Sequence, residues 1–205
     1  MGFSRPMVGT RQFDEHVLLE VALNTFWQNG FAATSMIDVA QATGVQRGSL
    51  YNAYGDKEQL FLLVFERYSE RFLGFVRQAL SDPDPCDALQ ALFKGAIASM
   101  REGVPSRGCL TTKIALELPI PGKAIEARVR RLIDDFTALV REALSTPAAR
   151  RRLSCDPQMA ADLTVTFTRG LAVMERAYRN SAHLEEMSRQ FGALLLPKVG
   201  LRRNS

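Results

Sequence analysis

The chain has 205 residues, 46% of them hydrophobic and 23% charged, with a formal net charge of +4. That suffices for one mid-sized packed domain, or for a small head on a larger body. It excludes a membrane span, because no run approaches the about 18 consecutive apolar residues a crossing helix needs; no basic-then-apolar leader opens the sequence, so a cytoplasmic location is expected.

Residues 1–10 read as a flexible arm, from which Arg5, and Arg11 just beyond it, can reach a neighbouring groove. Arg11 to Asn29 fits an amphipathic helix, with Val17, Leu18, Val21, Ala22, Thr25 and Phe26 at helical spacing and Gly30 as its stop. A short helix follows, opened by Ser35 as cap with Asp38 three residues on, the pattern of a capping box. Val39 and Ala40 give it a small apolar face. Gly44 stands where the backbone needs positive φ after a helix end, and Val45 plugs the turn. A second short helix spans Gln46 to about Ala53. This spacing is that of a helix-turn-helix over residues 34–54.

At about 100° per residue, Leu50 and Ala53 of the second helix point to the core, while Arg47, Gly48, Tyr51 and Asn52 fan across the opposite side with Ser49 at its edge. Arg47 can meet guanine edges or a phosphate, and Asn52 can pair with adenine. The Tyr51 hydroxyl suits a phosphate, and Gly48 lets the helix approach closely. A third helix opens at Asp56, with Gln59 completing another capping box. Lys57 in its first turn, with the free backbone N–H groups there, makes a phosphate clamp, and Thr34 does the same in front of the motif. The expected DNA contacts are therefore Thr34, Ser35, Gln46, Arg47, Gly48, Ser49, Tyr51, Asn52, Tyr54 and Lys57. Bulk charge does not drive the binding. Arg5, Arg11, Arg47 and Lys57 are outnumbered in the first sixty residues by Asp14, Glu15, Glu20, Asp38, Asp56 and Glu58. Affinity rests on a few placed cations, helix N-termini and pairing of two copies. Most of the basic surplus, at Arg128, Arg130, Arg131, Arg150, Arg151, Arg152, Arg202 and Arg203, reads as solvated faces and ends.

The helix from Asp56 continues to about Leu80 and links head to body. Asp84-Pro85 opens the next with a cap and a first-turn proline, running to about Glu102. After a loop at 103–108 come a short helix from Cys109 to Glu117, stopped by Pro119 and Pro121, and a long one from Lys123 to Ser145. Thr146 to Cys155 reads as a loop. Asp156-Pro157 repeats the cap-plus-proline start of a helix to about Asn180, and a last helix covers His183 to Leu196. No strand-like alternation competes. The fold expected is all-α: a three-helix head at 11–55 and a larger helical bundle at 56–200, about nine helices in all.

The last two helices carry Leu163, Phe167, Leu171, Met174, Tyr178, Leu184, Met187, Phe191, Leu194 and Leu195, more than one small bundle buries. Two such helices from each of two chains form a four-helix interface. A two-fold partner also places two reading helices one duplex turn apart, on a palindromic operator. Candidate lining residues for a small-molecule pocket in the body are Phe75, Phe93, Ile97, Met100, Cys109, Phe136, Phe167, Leu171 and Met174. Cys109 sits at a helix start, between Arg107 and Lys113, where the dipole and both cations favour thiolate. His16 and His183 stand far apart, and Cys86, Cys109 and Cys155 show no CxxC or zinc spacing. No metal or cofactor is expected, and the thiols are expected to be reduced.

Residues 11–61 closely resemble the DNA-binding domain of TetR/AcrR-family repressors, on Gly30-Phe31 with Thr34-Ser35, Asp38-Val39-Ala40, Thr43-Gly44-Val45, Gly48-Ser49-Leu50-Tyr51, and Tyr54 through Leu60. Tyr54 stands where the family usually has Phe, and Asp56 where it often has Ser. The resemblance implies a homodimeric, all-helical repressor paired through its last two helices and released from DNA by an effector. Gly108-Cys109-Leu110 also resembles a motif of a subset of these repressors, in some of which the cysteine responds to oxidants or electrophiles. A thiol sensor acting through Cys109 on the same DNA switch is therefore the alternative. More distant are a helical interaction module without DNA binding, and a helical enzyme, for which no Ser/His/Asp grouping, metal spacing or phosphate loop is present.

Overall fold

The computed structural model describes residues 15–117 and 122–197. The arm at 1–10, the start of the first helix at 11–14, the break at 118–121 and the tail from 198 lie outside the described residues. Within them the chain forms ten helices and no strand: α1 Glu15–Asn29, α2 Met36–Thr43, α3 Arg47–Tyr54, α4 Lys57–Ala79, α5 Pro85–Met100, α6 Leu110–Glu117, α7 Lys123–Leu144, α8 Pro147–Arg150, α9 Pro157–Tyr178 and α10 Ser181–Leu195.

The helix starts follow their caps. Asp84 accepts from the backbone N–H groups of Cys86 (2.7 Å) and Asp87 (3.3 Å) ahead of α5, and Asp156 accepts from those of Gln158 and Met159 ahead of α9, each with proline in the first turn. The same chemistry builds α8, in a stretch whose sequence suggests only a loop. The Thr146 hydroxyl accepts from the Ala149 N–H at 3.2 Å, Pro147 follows the cap, and Ala149 is buried. The arginines that follow obscure a start signal identical in kind to those of α5 and α9.

α1 buries more of its circumference than one stripe, because both α2 and α4 pack on it. Leu18, Leu19, Ala22, Leu23, Phe26 and Trp27 are buried, whereas Val17, expected inside, is exposed. One core joins α1, α2, α3 and the first half of α4 to Leu110 and Ile114 of α6 and to Ile125, Val129 and Leu132 of α7. A second core lies further along α4, among α5, α7, α9 and α10. α4 runs through both; its 23 residues span about 35 Å. The N-terminal helices therefore share their core with the body.

Candidate functional site

The helix-turn-helix is held by local bonds. The Ser35 hydroxyl accepts from the Asp38 N–H at 3.2 Å, and the Asp38 carboxylate accepts from the Ser35 N–H at 2.7 Å. Hydrogen bonds from the Ser35 side chain and backbone hold the Asp38 carboxyl below its ordinary range. α2 ends at Gly44, whose φ of 67° is the left-handed conformation the turn requires. Asp56 and Gln59 form the second reciprocal box, with bonds of 2.9 and 3.0 Å.

α3 is anchored inward by Leu50, which is fully buried, and by Tyr54, half-buried against the same core. Ala53, expected inside with Leu50, is exposed, because Tyr54, one full turn after Leu50, takes the inner position. The outer side presents Gln46, Arg47, Gly48, Ser49, Tyr51 and Asn52, all exposed. The Arg47 guanidinium lies 5.3 Å from the Tyr51 ring centroid, with Nη2 3.5 Å from its hydroxyl, and has no carboxylate partner among the described residues. The pair is preset on one face, with hydrogen-bonding capacity to spare.

Three expected contacts are placed differently. Thr34 is buried, and its hydroxyl donates to the Gly30 carbonyl at 2.6 Å; it fixes the turn before α2 rather than facing outward. Tyr54 belongs to the core, and burial, followed by the nearby Glu15 carboxylate, holds its hydroxyl above the usual phenol range. Lys57 donates to the Phe31 carbonyl at 3.0 Å and lies 4.3 Å from the Phe31 ring centroid, so one face of its ammonium is engaged within the protein.

Between head and body lies a cavity of about 560 Å³. Leu23 and Trp27 of α1, Tyr68, Phe72 and Phe75 of α4, Gly95 and Met100 of α5, Phe136 of α7, and Thr168 and Arg169 of α9 line it, with Arg107 and Cys109 from the loop before α6. Of the expected lining residues, Phe75, Met100, Cys109 and Phe136 are there. Phe93 and Phe167 are not: they pack with Phe191 in the second core, where the Phe167 and Phe191 rings stack at 4.2 Å. Ile97 and Leu171 are also in that core, and Met174 is exposed. Sequence reasoning missed Trp27, Tyr68, Phe72 and Arg169 as lining. For Arg169 a signal existed, since buried Val165, Thr168 and Ala172 put it on the inner side of α9.

The loop before α6 is tied to the head. The Trp27 indole donates to the Gly108 carbonyl at 2.9 Å, and Arg107 stacks 3.8 Å over the same ring while pairing with Glu102. Lys113 donates to the α1 carbonyls of Trp27 and Gln28, and Glu117 accepts from the Ala32 N–H at 2.9 Å. Burial pushes the Cys109 thiol up, but the Arg169 guanidinium, the Thr112 hydroxyl and the N–H groups of Thr112 and Thr111 outweigh this and bring it below the ordinary thiol value. The cation acting on Cys109 is thus Arg169, not the Arg107 and Lys113 read from the sequence, whose charges are spent on Glu102 and α1. Buried Tyr68, its hydroxyl 3.2 Å from that of Thr111, has its pKa pushed well above the usual phenol range, chiefly by burial.

On α9 and α10 the surface left open carries Met159, Leu163, Val173, Met174, Tyr178, Met187 and Leu194. Leu171, Leu184 and Leu195, expected at the dimer interface, are instead buried within their own subunit, and Phe167 and Phe191 are partly buried there. Met159 and Val173 join the open face without having been expected there. Among the described residues no group of three or more His, Cys, Asp or Glu side chains is placed to hold a metal, and no helix is long and apolar enough to cross a membrane.

Comparison with known proteins agrees with this architecture. Residues 18–64 match the family described as bacterial regulatory proteins, tetR family, and residues 85–191 match the tetracyclin repressor-like C-terminal domain. The HTH-type transcriptional repressor ComR of Escherichia coli is 43% identical over 60 residues, 29% of each chain. The HTH-type transcriptional repressor DhaR of a Mycobacterium species is 24% identical over 188 residues, 89% of this chain and 92% of that one. Among solved structures, a cysteine mutant of the TetR family regulator CifR, complexed with 26-bp double-strand operator DNA, superposes with a TM-score of 0.80 at 24% identity, covering 92% of this chain and 98% of the other. With both of its parts matched, the chain belongs to the TetR family of helix-turn-helix transcriptional regulators.

Proposed function

We propose that this regulator is a homodimeric repressor, acting in the cytoplasm, that grips a palindromic double-stranded operator and lets go when a small molecule fills the cavity. α3 enters the major groove with Gln46, Arg47, Gly48, Ser49, Tyr51 and Asn52 toward the DNA, while Ser35 and Lys57 steady the flanking phosphates. The open apolar face of α9 and α10 pairs two subunits. Residues 11–55 are the reading unit, and 56–200 the effector-binding and dimerisation unit. The observation that carries the release step is the make-up of the cavity. Its walls include Leu23 and Trp27 of α1, so an occupant touches the reading unit directly. An effector acts by favouring spacings of the two heads that do not fit the operator. The thiol-sensing alternative is not favoured, and Cys109 enters this reading as a cavity wall.

Footprinting and gel shifts on the DNA upstream of the chain's own gene test the proposal. Tyr51→Phe weakens binding to all sequences alike. Arg47→Ala weakens it and relaxes base preference, since a bidentate pairing with a base edge is worth about 1–3 kcal/mol of discrimination. A wild-type protein indifferent to that DNA and to a selected pool of duplexes refutes it.

A further inference from the structure

The cavity is unbalanced in charge. Glu20 pairs with Arg71 at 2.6 Å, and Glu102 pairs with Arg107. Each carboxylate on the wall therefore has its own guanidinium. Arg169 has no carboxylate among the described residues. Its Nη1 meets only the Cys109 sulfur at 3.5 Å, and its Nη2 the Thr168 hydroxyl at 3.3 Å. Its Nε, closed off from solvent, has no acceptor at all. An arginine carries five N–H donors and stays charged in any protein environment. A partly enclosed guanidinium without a counter-charge is held at a cost, and an anion that enters the cavity removes it.

The remaining wall is apolar and aromatic, from Trp27, Phe72, Phe75 and Phe136, with Phe136 also beneath the guanidinium at 5.8 Å from its ring centroid. The volume lies within the range of sites that hold small organic ligands. We propose that the cavity takes a small organic monoanion, a carboxylate on an apolar or aromatic body, whose carboxylate pairs with Arg169 while its body lies among the aromatic rings. One unpaired cation calls for one negative charge. A phosphomonoester brings more negative charge than Arg169, the one cation on the wall without a carboxylate among the described residues, can match. The inference rests on the cavity being the effector site.

The test uses the full chain and matched pairs of ligands: phenylbutyrate, indole propionate and octanoate, each against its own neutral amide. Binding is followed by the rise in melting temperature with ligand concentration. At least one acid binds about tenfold or more tighter than its amide. Arg169→Met removes that preference, weakening the acid far more than its amide, and Arg169→Lys restores part of it. Amides that match their acids, an Arg169→Met protein that binds acids as the wild type does, or a wild type that no acid stabilises, each overturn the inference. Operator release is scored separately. Acids that bind through Arg169 without releasing DNA leave this inference standing and remove the release step of the proposed function. Amides that match their acids in affinity and still release DNA have the opposite effect.

Discussion

Glu117 sits at the C-terminal end of α6, where the helix dipole disfavours a negative charge. What holds it there is the junction between α1 and α2: its Oε2 accepts from the Ala32 N–H at 2.9 Å, and its Oε1 lies over Gly30, where a Cβ would come within 2.0 Å of it. Gly30 itself has φ 86°, a conformation costing a side chain roughly 1–2 kcal/mol. Gly30→Ala therefore imposes that strain and also expels the Glu117 carboxylate, losing an exposed charge-assisted bond worth about 1 kcal/mol. The total is about 2–3 kcal/mol, a fall in melting temperature of roughly 5–10 °C for a chain of this size. Glu117→Ala alone loses only the bond, roughly 2–4 °C. In the double variant Glu117 has already been displaced, so its removal adds nothing, and the double variant melts with Gly30→Ala. Thermal unfolding by circular dichroism at one fixed protein concentration measures all four proteins. Simple additivity of the two single effects refutes the latch, because residues that do not touch add and residues that do touch couple.

Leu163→Glu combined with Leu194→Glu, both on the open face of α9 and α10, gives a helical monomer in sedimentation. Its operator affinity falls from the specific range of roughly 10⁻⁸–10⁻¹¹ M toward the non-specific 10⁻⁴–10⁻⁶ M; a dimer of unchanged stability places the interface elsewhere. Arg169→Met removes the main cation acting on Cys109, so the pH profile of Cys109 alkylation by iodoacetamide, resolved by peptide mass spectrometry, moves to higher pH. An unmoved profile shows that the local N–H groups alone set the thiol. Trp27→Phe leaves operator binding by the unliganded protein within a few-fold but collapses the ligand-induced change in operator Kd, typically about 5–150-fold for an effector, toward unity. An undiminished ligand effect in that variant shows that α1 does not carry the signal.

The caps and the turn of the helix-turn-helix are legible in the sequence because their determinants are local, whereas the inward placement of Thr34 and Tyr54 is not. A cap and its partner lie three residues apart at Ser35 and Asp38, and a left-handed glycine follows its helix at Gly44. The pattern also fails where two faces of one helix compete. α9 and α10 are apolar on both the inner side and the open side, so the stripe alone did not separate buried Leu171, Leu184 and Leu195 from exposed Leu163, Val173 and Leu194. The cavity was half legible for a related reason. Its aromatic residues come from three helices, α1, α4 and α7, and whether a Phe lines the space, as Phe75 does, or fills a neighbouring core, as Phe93 does, depends on how the helices cross. The roles of Arg107 and Lys113 were misread because sequence proximity to Cys109 says nothing about which partner wins a long side chain: both turned to α1 and its neighbours, and a cation sixty residues away took their place.

Under the proposed function, affinity and release are separable in this cavity. A ligand that binds two arrangements of the protein equally well shifts nothing, however tightly it binds. Arg169 and Phe136 stand on α9 and α7, in the body, so what they contribute is nearly common to the DNA-bound and released forms. Trp27 stands on α1, and its bond to Gly108, its stack beneath Arg107 and its edge contact with Tyr68 at 5.0 Å all cross from reading unit to body. A run of ring contacts continues from Tyr68 through Phe65 and Phe61 to Phe31, under Lys57 at the start of α4. Contiguity alone transmits nothing; what matters is whether the occupant's contacts change when α1 moves. The contacts that change are those to Trp27 and Leu23, and these set the coupling, while the body side of the cavity sets the affinity. Linkage then requires the reverse effect: operator DNA, by fixing α1, weakens the ligand by the same factor by which the ligand weakens the operator.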